Sequence, residues 1–135
     1  MKPIRLALGL GCDRGTPAAT IRQAIDEALA RAGASSMADV EAVASIDLKA
    51  DEAGLLEVAR ACGWTLRFYA AAELAQVTVP NPSETVRKHT GTPSVSEAAA
   101  LLAAGTDLSH LLIEKHRLRG PDGRNATVSI ARMPS

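Results

Sequence analysis

Apolar and polar positions along this chain repeat with two different periods, and the switches between them spell a β-α-β-α-β opening. Ile4 to Leu10 is an apolar run broken only by Arg5, the pattern of a strand covered on both faces. From Pro17 to Ala32, residues Ile21, Ala24, Ile25, Ala28, Leu29 and Ala32 share one helical face, and Arg22, Gln23, Asp26, Glu27 and Arg31 share the other. Gly33 stops that helix. Val40 to Ile46 is short, apolar and β-branched, so it reads as a second strand. Asp51 is placed to cap a helix running to Ala61 or Cys62, with Leu55, Leu56 and Ala59 inward and Gly63 at its end. Trp64 to Tyr69 makes a third strand. Such an order implies a largely parallel sheet with helices on its faces.

The second half is less regular. Ala71 to Gln76 suits one or two helical turns, and Val77 to Val79 a short connector or edge strand. Asn81-Pro82-Ser83-Glu84 and Thr92-Pro93-Ser94-Val95-Ser96-Glu97 both look like helix starts, with proline early and glutamate placed to reach back. The helix from Ser94 to Ala104 is apolar nearly all round, so it should pack on more than one side. Leu108 to Glu114 and Ala126 to Ala131 read as antiparallel strands joined across the basic stretch Lys115 to Arg124, in which Pro121-Asp122-Gly123 supplies the turn. The expected fold is α/β: a three-layer α/β/α sandwich around a mixed, mainly parallel sheet of about five or six strands.

The 135 residues suffice for one domain, 1–135, with a sizeable core. Fifteen acidic and fifteen basic side chains balance, so no overall field recruits nucleic acid or an acidic membrane. No apolar stretch approaches the roughly 20 residues that span a bilayer, and the N-terminus lacks signal-peptide order, so a cytoplasmic location is expected. Aromatic residues number three, Trp64, Phe68 and Tyr69, in one segment, which leaves no base-stacking platform. Cys12 and Cys62 lie far apart without zinc-site spacing, so no metal is expected, and no cofactor.

Candidate chemistry gathers at Gly9-Leu10-Gly11-Cys12-Asp13-Arg14-Gly15-Thr16. Glycines let a backbone approach a ligand, and Thr16 before Pro17 reads as an N-cap, so Gly11, Cys12, Arg14, Gly15 and Thr16 form a candidate anion site. The spacing departs from both the dinucleotide fingerprint and the phosphate loop. Open parallel sheets bind ligands beyond the carboxyl ends of their strands, which brings Asp47, Lys49 and Asp51 to the same edge. Those three are also the candidates for proton transfer. Cys12 beside Arg14 is either an activated thiol or an inert buried one. Ser83 and Ser94 would add two helix N-termini, and Lys115, Arg117 and Arg119 could pair with carboxylates if the basic connection folds over the cavity.

Four motifs in order, Gly9-Leu10-Gly11-Cys12 with Gly15-Thr16, Ser45-Ile46-Asp47-Leu48-Lys49-Ala50-Asp51-Glu52, Val79-Pro80-Asn81-Pro82-Ser83-Glu84 and Gly91-Thr92-Pro93-Ser94-Val95, together resemble one family. It is the CobE family, which looks like the isolated C-terminal domain of CbiG, the cobalt-precorrin-5A hydrolase of cobalamin biosynthesis. The similarity runs from the first strand to Thr127-Val128-Ser129-Ile130-Ala131-Arg132. It implies a role in corrin-ring assembly, with a polycarboxylate tetrapyrrole or precorrin as ligand and other pathway enzymes as possible partners. Asp13 stands where CbiG-like domains often carry a basic residue; an acid there repels a substrate carboxylate unless Arg14 neutralises it, so Asp13 is not expected to contact the ligand. Three roles follow from the resemblance: an accessory or carrier that binds an intermediate, a hydrolase opening the precorrin lactone, or a structural partner module of another pathway enzyme.

Overall fold

A computed structural model of the protein describes residues 5–33, 39–77 and 95–134. The chain order is β1 (Leu6–Cys12), α1 (Ala18–Arg31), β2 (Val40–Ile46), α2 (Ala53–Cys62), β3 (Leu66–Tyr69), α3 (Ala71–Leu74), α4 (Val95–Ala104), β4 (Leu111–Arg119) and β5 (Asn125–Arg132). The helix start at Ser83, Ser94 itself and the end of the Val77–Val79 connector lie outside the described residues.

The five strands form one sheet in the order β3-β2-β1-β5-β4. β1 pairs parallel with β2 and β2 with β3, while β5 pairs antiparallel with both β1 and β4. Four strands therefore run one way and β5 alone runs against them. This is the mixed, mainly parallel sheet expected from the sequence.

Side-chain size separates the two faces. Along β1, Leu6, Leu8 and Leu10 pack with Ile21, Ile25 and Leu29 of α1, Leu55 and Val58 of α2, and Val128 and Ile130 of β5. On the opposite face Ala7 meets Ala98 to Leu101, Ala103 and Ala104 of α4, with Ala42, Ala44 and Ile46 of β2 and Leu74 of α3. A strand's side chains alternate between faces, so Leu-Ala-Leu-Gly-Leu-Gly serves both layers at once. Gly9 is a point of backbone contact: a Cβ there would lie 1.8 Å from the Ser96 carbonyl oxygen and 2.6 Å from the Ala100 nitrogen. The helix can lie this close because the strand offers no side chain at that position.

Two expectations are corrected. The glycine-rich turn does not start at Gly9, because Gly9 to Cys12 continue the strand and only Asp13 to Pro17 form the turn. A glycine inside a strand reads as a breaker in sequence, whereas here it admits a helix. The basic connection is likewise mostly strand. β4 runs on to Arg119, so Lys115 and Arg117 lie in the sheet and only residues 120–124 turn the chain. The alternation of Lys115, Arg117 and Arg119 with His116 and Leu118 was the signal, and their charge concealed it.

Candidate functional site

The parallel strands end at Cys12, Ile46 and Tyr69, and the loops that leave them meet at one edge of the sheet. The turn after β1 and the segment before α2 touch directly. Arg14 Nη1 donates to Asp51 Oδ1 at 3.1 Å and to Glu52 Oε2 at 3.0 Å, and the Gly15 amide donates to Glu52 Oε1 at 2.9 Å. Gly15 takes φ +83°, a conformation that glycine adopts without steric cost. Its N–H does point outward from the turn, as expected, but the anion that accepts it is the protein's own.

Glu52 is only 3% exposed, so its carboxylate is a buried charge held by a guanidinium and a backbone N–H. Such a charge is tolerated where it is paired and hydrogen-bonded. Glu52 rather than Asp51 also occupies the N-cap position of α2, with no side-chain cap, and Asp51 stays exposed against Arg14. Asp51 and Glu52 raise the Arg14 pKa further, chiefly through the Asp51 hydrogen bond. The two helix starts nearly collide here: a Cβ on Gly54 would sit 2.4 Å from the Thr16 carbonyl oxygen.

Thr16 is buried, yet it does not cap α1. Pro17 is the N-cap, and Thr16 Oγ1 donates to the Asp13 carbonyl at 2.7 Å, closing the turn. Asp13 is held by Asn125 and not by Arg14. Its Oδ2 accepts from the Asn125 amide nitrogen at 2.8 Å and the Asn125 side chain at 3.1 Å, while Arg14 serves α2 instead. Arg124 Nε donates to the Arg14 carbonyl at 3.1 Å, so the hairpin turn clamps the loop. Sequence reasoning missed Asn125 and Arg124, whose partners lie 110 residues or more away in the chain.

Cys12 is the last residue of β1 and packs against the large aliphatic core. Burial pushes its thiol up to about 11, opposed by the nearby Lys49 ammonium and reinforced by Glu52. It is a protonated thiol at neutral pH, the inert alternative of the two. Asp47 and Lys49 form a 3-10 turn directly after β2, Asp47 exposed and Lys49 half-buried. Gly15, Thr16, Arg14, Asp51 and the Asp47–Lys49 turn are thus brought to one rim. Lys115 is not among them, being on β4 at the far edge of the sheet.

The α4 face of the same edge is built differently. Gly11, two residues beyond the helix contact at Gly9, has nothing among the described residues within 4 Å of where its Cβ would be. It lies opposite Thr127 of β5, which lies opposite Arg117 of β4. Closer to the sheet centre, Ser129 donates to the Glu114 carbonyl and shares a 2.8 Å hydrogen bond with Ser96, fixing the first turn of α4 over β5. Glu97 is fully buried in that turn. Among the described residues the layer is therefore anchored up to Gly9 and leaves Gly11 uncovered. Among the described residues no group of three or more His, Cys, Asp or Glu is arranged to hold a metal ion, and no helix is long and apolar enough to cross a membrane.

Comparison with known proteins places this geometry in context. The sequence model of the family described as "Cobalamin synthesis G C-terminus" matches residues 6–131. The chain is 43% identical over 133 residues to a cobalt-precorrin-5A hydrolase of Priestia megaterium, covering 98% of this chain and 33% of that protein. It is 41% identical over 112 residues to protein CobE of a Sinorhizobium species, covering 82% of this chain and 71% of that one. The crystal structure of CobE, a protein from the cobalamin biosynthetic pathway, superposes with a TM-score of 0.77 at 35% identity, covering 98% of this chain and 93% of that one. The chain thus spans about a third of the hydrolase it matches and nearly all of the CobE structure.

Proposed function

The chain belongs to the cobalamin synthesis G C-terminus family, and from that premise we propose that it binds a polycarboxylate tetrapyrrole intermediate of corrin-ring assembly, as an accessory or carrier. It does so as a single domain, its two helical layers sharing one sheet. The observation that carries the reading is Gly11. A flat macrocycle needs a surface without projecting side chains, and Gly11 offers bare backbone at the carboxyl edge of the parallel strands, where such folds take their ligands. Lys49 lies at the same rim and Arg14 beside it, so these two cations are within reach of acidic arms that displace Asp51. Cys12, Gly15 and Thr16 shape that rim and keep it rigid.

A second reading, hydrolysis of the precorrin lactone, draws on the name of the hydrolase relative. In it Asp47 or Asp51 would activate water and Lys49 would stabilise the oxyanion. Asp51 already accepts from Arg14, which leaves Asp47 as the better base. One experiment separates the readings: incubation with a lactone-bearing precorrin intermediate, followed by absorbance and by ligand mass. A shifted spectrum with unchanged mass is the expected result, with affinity falling as salt rises. A gain of one water marks the hydrolase, and an unshifted spectrum with unchanged mass leaves a partner module of another pathway enzyme.

A further inference from the structure

The edge strand carries charged groups whose placement deepens the binding proposal and rests on it. β4 reaches the carboxyl edge as Lys115-His116-Arg117-Leu118-Arg119. His116 bonds Glu27 Oε1 at 2.7 Å and meets Arg31 at 3.0 Å, and Leu118 packs on the aliphatic core, so both face α1. Alternation then places Arg117 and Arg119 on the α4 face, the face of Gly11. Both are exposed, and among the described residues neither forms an ion pair, whereas Arg5, Arg14 and Arg124 each meet a carboxylate.

The neighbouring acid does not cancel them. Arg119 lies opposite Asn125 in the sheet, and Asn125 already holds the Asp13 carboxylate through two hydrogen bonds. Arg117 lies in the row with Thr127 and Gly11, beyond the point where Ser96 is tied to Ser129. We propose that Arg117 and Arg119 are the carboxylate-recognition pair of the site, each taking one acidic arm of a single ligand whose ring rests over Gly11. Alternate residues of one strand stand about 7 Å apart, and a guanidinium can hold a carboxylate by two parallel hydrogen bonds, so the pair suits two arms of one ligand. Arg14, among the cations that the sequence put forward, turns its Nη1 to Asp51 and Glu52.

The test uses the full chain, the variants Arg117→Gln, Arg119→Gln and both together, and Arg60→Gln on α2 as a control. Cobyrinic acid, a corrinoid with free carboxylate arms, and its fully amidated counterpart are titrated by absorbance. The acid is expected to bind about tenfold more weakly to Arg117→Gln and weaker still to the double variant, with the amide and Arg60→Gln unchanged. Equal affinity of wild type and double variant for the acid overturns the pair and leaves the binding proposal standing. If wild type takes up no corrinoid, that proposal fails, and adipate titrated against the arginine Nε–H signals in NMR decides the pair. Shifts at Arg117 and Arg119 that are absent at Arg60 support it, and none at either overturns it.

Discussion

β1 has two sides that solve opposite packing problems. Toward α1 and α2 it presents Leu6, Leu8 and Leu10, and the space between strand and helices is filled by side chains. Toward α4 it presents Ala7, Gly9 and Gly11, and the space is removed by bringing the helix backbone to the strand. The polar edge repeats the contrast. On the α1 side Arg14 and the Gly15 amide satisfy Glu52 and Thr16 closes the turn on the Asp13 carbonyl, while on the α4 side, among the described residues, nothing covers Gly11 and the arginines of β4 have no ion partner. A closed network holds two helix starts in register, and an uncovered row beside it is free to meet something else. On the binding proposal, the closed network holds the fold at this edge and the row beside it is where a ligand would be recognised.

The sharpest way to break this contrast is Gly9→Ala. The added methyl would meet the Ser96 carbonyl at 1.8 Å, backbone that cannot rotate aside, so α4 must shift. A loss of about 3 kcal/mol or more is expected in urea unfolding. A loss under about 0.5 kcal/mol would mean that the helix does not rest on the strand there.

Glu52→Ala probes the closed network next. It removes the acceptor of the Gly15 amide and one partner of Arg14, both on the well-packed side. The expected cost is about 1 kcal/mol, because the part-buried bond from the Gly15 amide is lost while the exposed Arg14 keeps Asp51 and water. Glu52→Gln should recover part of it, since an amide oxygen can still accept from Gly15. Equal stabilities for the two variants would place the carboxylate outside the network.

Gly11→Ala is the smallest effect and the counterpart of the first. With nothing among the described residues within 4 Å of the new methyl, the stability change should stay within about 0.5 kcal/mol, while on the binding proposal corrinoid affinity falls as the methyl lifts the ring from the strand. A large loss of stability would show that the row at Gly11 is covered after all. Together with Gly9→Ala it measures how far along the strand the helix contact reaches.

Much of the fold was legible because period and size act locally. The bounds of β2, Val40–Ile46, the end of α2 at Gly63, the burial of α4 and the membership of all five strands in one sheet follow from patterns a few residues long. The site was legible only as a neighbourhood. That the β1 turn and Asp47 to Glu52 would share a rim came from the strand-end rule, and Arg14 with Asp51 and Glu52 meets that expectation. Which charges would be consumed inside the rim did not follow. Glu52, Asn125 and Arg124 act across the fold on partners that no spacing announces.

The sequence alone determined the alternation of large and small residues on β1, and with it the existence of two unlike layers, because side-chain volume is a property of each residue and alternation a property of any strand. Only the tertiary structure decided what the small residues were for. Whether a glycine opens a turn, admits a helix or leaves the strand bare depends on what stands opposite it, and Gly9, Gly11 and Gly15, within one stretch of seven residues, do one each: the first under α4, the second with no described residue over it, the third turning the chain at φ +83°.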